Sequence, residues 1–127
     1  MGSNILDANA VLRYLLRDSE EQYLQVDHII RTEYCQVSLE VLAEVSYVLE
    51  GVYSVPRSAI IGCFRKLSQE IIIVNGDVLL RALEVYDKSP KIDFVDCLMY
   101  GYQSSRGYNV VTFDKKLKTV LSSGTMV

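Results

Sequence analysis

A single histidine, His28, stands in the 127 residues, and the three cysteines, Cys35, Cys63 and Cys97, show no Cys-x-x-Cys spacing. A mechanism built on a histidine pair is therefore excluded, and so is a zinc centre of several histidines or thiolates. The odd cysteine count fits reduced, packed thiols better than a disulfide frame. His28 lies among helix-spaced apolar positions and reads as an ordinary surface or core-edge residue. Long hydrophobic runs are missing too: Ile71-Ile72-Ile73-Val74 falls far short of the roughly 20 residues that span a bilayer. No basic segment followed by an apolar stretch opens the chain, so the cytoplasm is the default location and no membrane contact is expected. Any catalysis must rest on carboxylates.

What is present suits a packed core: 50% of the residues are hydrophobic and 23% charged, and the length is one domain's worth, so residues 1–127 are expected to form a single domain. Residues 4–7 read as a short buried strand and 8–17 as a helix with Val11, Leu12, Leu15 and Leu16 at helical period. Ser19 and Gln22 have capping-box spacing at the start of a helix running to about residue 31. A strand at 35–37 follows, then a helix capped by Ser38 and running to Gly51, and a helix from Pro56 to about residue 68. Residues 71–74 form a β-branched strand before Asn75-Gly76, with helices at 77–89 and 93–107 after it. Residues 109–113 read as a strand, and a last helix runs from Asp114 to about residue 121. Strands alternate with helices and no hairpin dipeptide joins two strands, which predicts a three-layer α/β/α fold around a central parallel sheet.

In such a sheet, sites form beyond the carboxyl ends of the strands. Asp7 ends the first strand and Asp114 follows the last, while Asp93 and Asp96 open the helix between 93 and 107. On a helical wheel Asp96 shares a face with Asp93, Tyr100 and Gln103, away from Phe94, Leu98 and Gly101. Glu44 lies at the boundary of an apolar helix, a position that allows half-burial, with Glu40 one turn back on the polar side. Each acid has a plain structural reading, since Asp7, Asp93 and Asp114 stand where helix caps are wanted and Glu44 suits a solvated face. Caps do not explain the combination. Like charges gathered in one crevice resist ionisation unless a cation neutralises them, and an all-oxygen donor set selects Mg²⁺ or Mn²⁺.

Ile5-Leu6-Asp7-Ala8-Asn9-Ala10-Val11-Leu12 resembles the opening of PIN-domain ribonucleases, the VapC toxins in particular. Ser38-Leu39-Glu40-Val41-Leu42-Ala43-Glu44-Val45 is similar to the family's helix with the second acid, here Glu44. Asp93-Phe94-Val95-Asp96-Cys97 resembles its third motif, with Asp96 as the acid, and Val110-Val111-Thr112-Phe113-Asp114 its fourth. The departures are mild: Cys97 and Gly101 replace residues that are usually alanine, and Ala8 stands where a hydroxyl is common. The resemblance implies a parallel sheet of four to five strands in order 3-2-1-4. It further implies a metal-dependent endoribonuclease, the toxin of a toxin–antitoxin pair, with Asp7, Glu44, Asp96 and Asp114 holding Mg²⁺ or Mn²⁺. Asn9, Thr112 and Asp93 would support them. An RNA substrate, a small antitoxin and a homodimer are the implied partners.

Net charge is -3, from 13 basic and 16 acidic residues. Without the four candidate acids the count is 13 against 12, or +1, so the total decides nothing about a polyanionic partner. Placement is more telling: Lys88 and Lys91 precede Asp93, Lys115, Lys116 and Lys118 follow Asp114, and Arg13 and Arg17 lie one turn apart. Of these, Arg13, Lys91, Lys115 and Lys116 are the candidate phosphate contacts. Two other classes remain open. A phosphoryl-accepting receiver-like domain also places an aspartate at a parallel-sheet edge, although Glu44 would then be idle. A module on the nuclease fold that binds RNA without cutting it is the other.

Overall fold

The computed structural model describes residues 3–123. The chain divides into two compact units, Met1–Val74 and Asn75–Val127. In the first, β1 (Ser3–Ile5) is followed by α1 (Ala8–Leu16), α2 (Glu20–Thr32), β2 (Tyr34–Val37), α3 (Leu39–Gly51), α4 (Arg57–Glu70) and β3 (Ile72–Ile73). The strands are parallel and ordered β1-β2-β3, with Asn4 opposite Cys35 and Val37 opposite Ile73. Every crossover is helical, as parallel pairing requires.

Local chemistry sets the helix ends in this unit. Asp7 Oδ1 accepts from the Ala10 N–H at 2.8 Å, Ser19 Oγ from Gln22 at 3.4 Å and Ser38 Oγ from Val41 at 3.3 Å, each meeting a donor that lacks an intrahelical partner. Arg17 closes α1 with a left-handed φ of 52°. The Tyr14 and Tyr23 rings stack at 5.5 Å between centroids and tie α1 to α2. Val11, Val37, Leu42, Val45, Ile60 and Phe64 are fully buried, each adding about 1.5–3 kcal/mol of hydrophobic stabilisation relative to exposure.

The second unit comprises α5 (Gly76–Tyr86), α6 (Phe94–Arg106) and α7 (Lys115–Ser123). Its centre is the α5–α6 pair. Val78, Leu79, Ala82 and Tyr86 of α5 are buried, as are Phe94 and Cys97 of α6, and the Tyr86 and Phe94 rings meet edge to face at 5.3 Å. Gly101 allows the approach, because a Cβ there would lie 2.4 Å from the Val78 carbonyl oxygen. Asp77 fastens the same helices by accepting from Arg106 at 2.6 and 2.8 Å and from Ser105. Gly107, at φ 71°, ends α6.

The parallel sheet matches expectation but has three strands among the described residues, not four to five. The missing member is 109–113, which joins no ladder. A β-branched run favours extension, but only a partner backbone makes a strand. Its period-two alternation survives: Val110 and Thr112 are half-buried while Val111 and Phe113 are exposed. β3 is also shorter than 71–74, because Asn75 takes a left-handed conformation (φ 59°) and turns the chain into α5. That helix ends at Tyr86 rather than residue 89. None of the three cysteines is in a disulfide, and no described helix is long and apolar enough to cross a membrane.

Candidate active site

In the first unit Asp7 and Glu44 both follow the carboxyl ends of adjacent parallel strands. Asp7 caps α1 just beyond β1, using one of its two carboxylate oxygens, and Asn9 is exposed in the first turn of that helix. Glu44 lies in the second turn of α3, which opens at Ser38 directly after β2. Glu44 is exposed, as Glu40 is, so the half-burial that its boundary position allows is not taken up and its side chain lies on a solvated face. The buried residues of α3 are Leu39, Leu42, Ala43, Val45, Ser46 and Leu49, and their arc stops short of residue 44.

In the second unit two capping acids act on a third. Asp93 caps α6 through Oδ1, which accepts from the Asp96 N–H at 2.9 Å. Asp96 returns a hydrogen bond from the Asp93 backbone N–H, so the capping pair suggested by the Asp-x-x-Asp spacing is formed. Asp114 caps α7 through Oδ1, accepting from Leu117 at 2.9 Å, while Thr112 Oγ1 accepts from the Asp114 N–H at 3.1 Å and fixes that turn. Burial pushes the Asp96 carboxyl above its ordinary range, and the charges of Asp93 and Asp114 push it further. A side-chain hydrogen bond to Asp93 that only a protonated carboxyl can donate acts the same way, and the Asp93 N–H opposes it. Asp96 is thus not on an open polar face. Tyr100, one turn along the same side of α6, is only 4% exposed, because the buried arc of this helix is wider than the apolar residues alone suggest.

Among the described residues no three histidine, cysteine, aspartate or glutamate side chains close around a common point. The donor chemistry nonetheless fits a hard cation. Asp96, pushed toward its protonated form first by burial and then by the charges of Asp93 and Asp114, is a carboxyl whose ionised form a divalent ion would favour. The candidate phosphate contacts differ in availability. Lys91, Lys115 and Lys116 are exposed, whereas Arg13 is half-buried and ion-paired to Asp18 at 3.0 Å. His28 is exposed, in keeping with an ordinary surface residue.

Phe113, to which the sequence motifs give no role, is the most exposed large hydrophobic residue among those described, at 93%. The signal was available in the alternation of residues 110–113, which sends every second side chain outward.

No curated protein and no solved structure matches the chain. A family profile described as PIN domain matches residues 5–120, a span that runs through both units and includes Asp7, Glu44, Asp96 and Asp114. PIN domains are generally nucleases that act on RNA, and they typically bind divalent metals. On that match over nearly its whole length, the chain belongs to the PIN domain family.

Proposed function

We propose that this PIN domain is a VapC-like toxin, an endoribonuclease that hydrolyses RNA phosphodiester bonds with Mg²⁺ or Mn²⁺. The observation that carries the reading is the PIN domain match across residues 5–120, within which Asp96 is driven toward its neutral form by burial and by the charges of Asp93 and Asp114. In this reading residues 1–127 work as one three-layer nuclease domain in the cytoplasm, as a homodimer held in check by a small antitoxin. By the family resemblance Asp7, Glu44, Asp96 and Asp114 would hold the ion, which when bound would supply Lewis acidity to the scissile phosphate and acidify an attacking water.

The chain's own groups do the rest. Asp93 and Thr112 position acids through the hydrogen bonds at the starts of α6 and α7, and Asn9 supports Asp7 from the first turn of α1. Lys91, Lys115 and Lys116 offer exposed positive charge to the RNA backbone, with Arg13 the weakest candidate because Asp18 already neutralises it. The test is cleavage of total tRNA and ribosomal RNA fragments by the purified chain in Mg²⁺ or Mn²⁺, with a chelator control. Metal-dependent cutting is expected. Equal cutting with and without chelator would sink the mechanism, and metal-independent binding without cutting would leave an RNA-binding module.

A further inference from the structure

The extended segment 109–113 presents an aromatic ring where a folded protein normally hides one. Val111 is 84% exposed, Phe113 is 93% exposed and Tyr108, just before the segment, is 58% exposed. Burying a phenylalanine is favourable, so a ring left in water beside further exposed apolar residues marks a contact surface. Its surroundings identify the contact. Phe113 is followed directly by Asp114, and the next turn carries Lys115, Lys116 and Lys118, all exposed. None of the three lysines has a carboxylate partner in an ion pair among the described residues, and Lys118 Nζ reaches to 6.0 Å from the Phe113 ring centroid. Lys118 also borders a recess of about 340 Å³ lined by Gln103, Asn109 and Thr112 together with Val110 and Leu121. A flat apolar face, exposed cations around it and a recess of mixed polar and apolar lining beside it match one chemistry: an unpaired nucleobase with its phosphate backbone.

We propose that Phe113 is a stacking platform for an unpaired RNA base next to the cleaved bond, with Lys115, Lys116 and Lys118 holding the flanking phosphates. The inference rests on the nuclease reading, which supplies the role of Asp114, and it adds a residue that selects single-stranded or looped RNA over duplex. A paired base has no free face to offer the ring. Phe113 is a binding residue here and takes no part in the bond-breaking step.

The test uses the whole chain and a short fluorescein-labelled oligoadenylate, with binding followed by anisotropy in chelator so that nothing is cut. Phe113→Ala is expected to weaken binding roughly tenfold, the usual order for one stacked base. The salt dependence should stay as in the parent, since no phosphate contact is lost, whereas Lys116→Ala should lower the slope by about 0.7. Phe113→Trp should bind at least as tightly as the parent, and Phe113→Leu should behave like alanine, which separates stacking from mere apolarity. On an abasic oligomer of the same length, parent and Phe113→Ala should bind alike. Equal binding of oligoadenylate by parent and Phe113→Ala overturns the proposal and hands the exposed ring to a protein partner. Metal-dependent cutting of tRNA that Phe113→Ala leaves unchanged also overturns it, while sparing the nuclease reading. Binding that depends on Phe113, in a chain that never cuts, supports the platform and removes the nuclease instead.

Discussion

In Met1–Val74 Asp7, beyond the sheet, serves one helix, whereas in Asn75–Val127 the charges of two capping acids also act on a third. Asp7 caps α1 and its structural reading is complete in a single hydrogen bond. Asp93 and Asp114 cap helices in the same way, yet their charges also act on Asp96, which burial has already pushed toward neutrality. Capping therefore explains why aspartate is tolerated at a helix start in either unit. It does not explain crowding. The units also differ in packing tolerance, since the first contains a helical glycine with open space around it and the second one pressed against a backbone carbonyl.

The acids give the largest expected effect. Under the proposed function Asp96→Asn and Asp7→Asn both abolish metal-dependent RNA cleavage. Their stabilities should differ from what the activity suggests: Asp96→Asn relieves like-charge repulsion, so without metal its melting temperature should equal or exceed the parent's. Asp7→Asn should be nearly neutral, because asparagine caps as well as aspartate. Adding Mn²⁺ should raise the parent's melting temperature more than that of Asp96→Asn. Glu44→Gln should abolish cleavage and Glu40→Gln should not. An Asp7→Asn chain that still cuts RNA takes the first unit's edge acid out of the chemistry, and an Asp96→Asn chain that still cuts leaves only the capping role for that residue.

Glycine substitutions test the packing half of the comparison. At Gly101 an added methyl meets the Val78 carbonyl oxygen at 2.4 Å and Val78 Cγ1 at 3.0 Å, and a helix backbone cannot step aside as a side chain can. Gly101→Ala should therefore force α5 and α6 apart at a cost of about 1–3 kcal/mol. Gly62, exposed on α4 with nothing within 4 Å, has no such neighbour. Gly62→Ala should stabilise by roughly 0.5–1 kcal/mol, through the smaller backbone entropy lost on folding. Chemical denaturation of both variants reads the two signs directly, and a destabilising Gly62→Ala would mean that α4 is not free on that side.

The parts of this fold that were legible in the sequence are those decided within about four residues. Ser19, Ser38, Asp7 and Asp93 could be read as caps because a side-chain oxygen and the N–H three residues on are set by one turn of backbone. The parallel pairing of the strands followed from helical crossovers between short apolar runs, whereas their order came only with the family resemblance. What was not legible depends on distant partners. Residues 109–113 have the right composition and alternation, but a ladder needs a second backbone that composition does not reveal. A helical wheel placed Asp96 and Tyr100 on one face correctly and still misjudged their burial, because a wheel holds no information about how far neighbouring groups wrap around a helix. Glu44, at a boundary that allows half-burial or exposure, is exposed, a choice the wheel leaves open for the same reason. For the site, residue types and spacing singled out the acids, while the crowding that distinguishes Asp96 belongs to the folded second unit.

Capping offers a smaller contrast. Ser38→Ala removes the Oγ that accepts from Val41 at the start of α3 and should cost about 1 kcal/mol. Asp93→Asn keeps an accepting oxygen for the Asp96 N–H, should change stability by only a few tenths of a kcal/mol, and should spare most cleavage. Thermal melts of the two variants check the order. A loss at Asp93→Asn as large as at Ser38→Ala would show that the Asp93 charge, and not its cap, matters to α6.

The smallest expected effect comes from the surface ion pairs, where the two units again differ. Asp77 in the second unit accepts from both Arg106 and Ser105, and the guanidinium holds its carboxyl far below the usual carboxylate range. In the first unit, Arg17 and Glu20 form a pair within one turn, 55% and 61% exposed, and Arg17 lowers the Glu20 carboxyl in the same direction. For a carboxyl whose folded-state pKa is depressed, the stabilisation is present above its unfolded value and is lost as the pH falls through the folded one. Asp77→Asn should therefore lower the melting temperature slightly near neutrality, and the gap from the parent should close as the solution is acidified through and below the ordinary carboxylate range. Salt should narrow it as well, because both Asp77 and Arg106 are at least one-third exposed. Glu20→Gln should move the melting temperature little at any pH, since solvent already screens that pair and its two long side chains lose entropy in holding one geometry. Melting curves of the parent and both variants across the acid range, at low and high salt, decide the matter. A pH-independent loss at Asp77→Asn would assign the clamp to hydrogen-bond geometry instead of charge, and a loss at Glu20→Gln to match that at Asp77→Asn would erase the difference between the units at their surfaces.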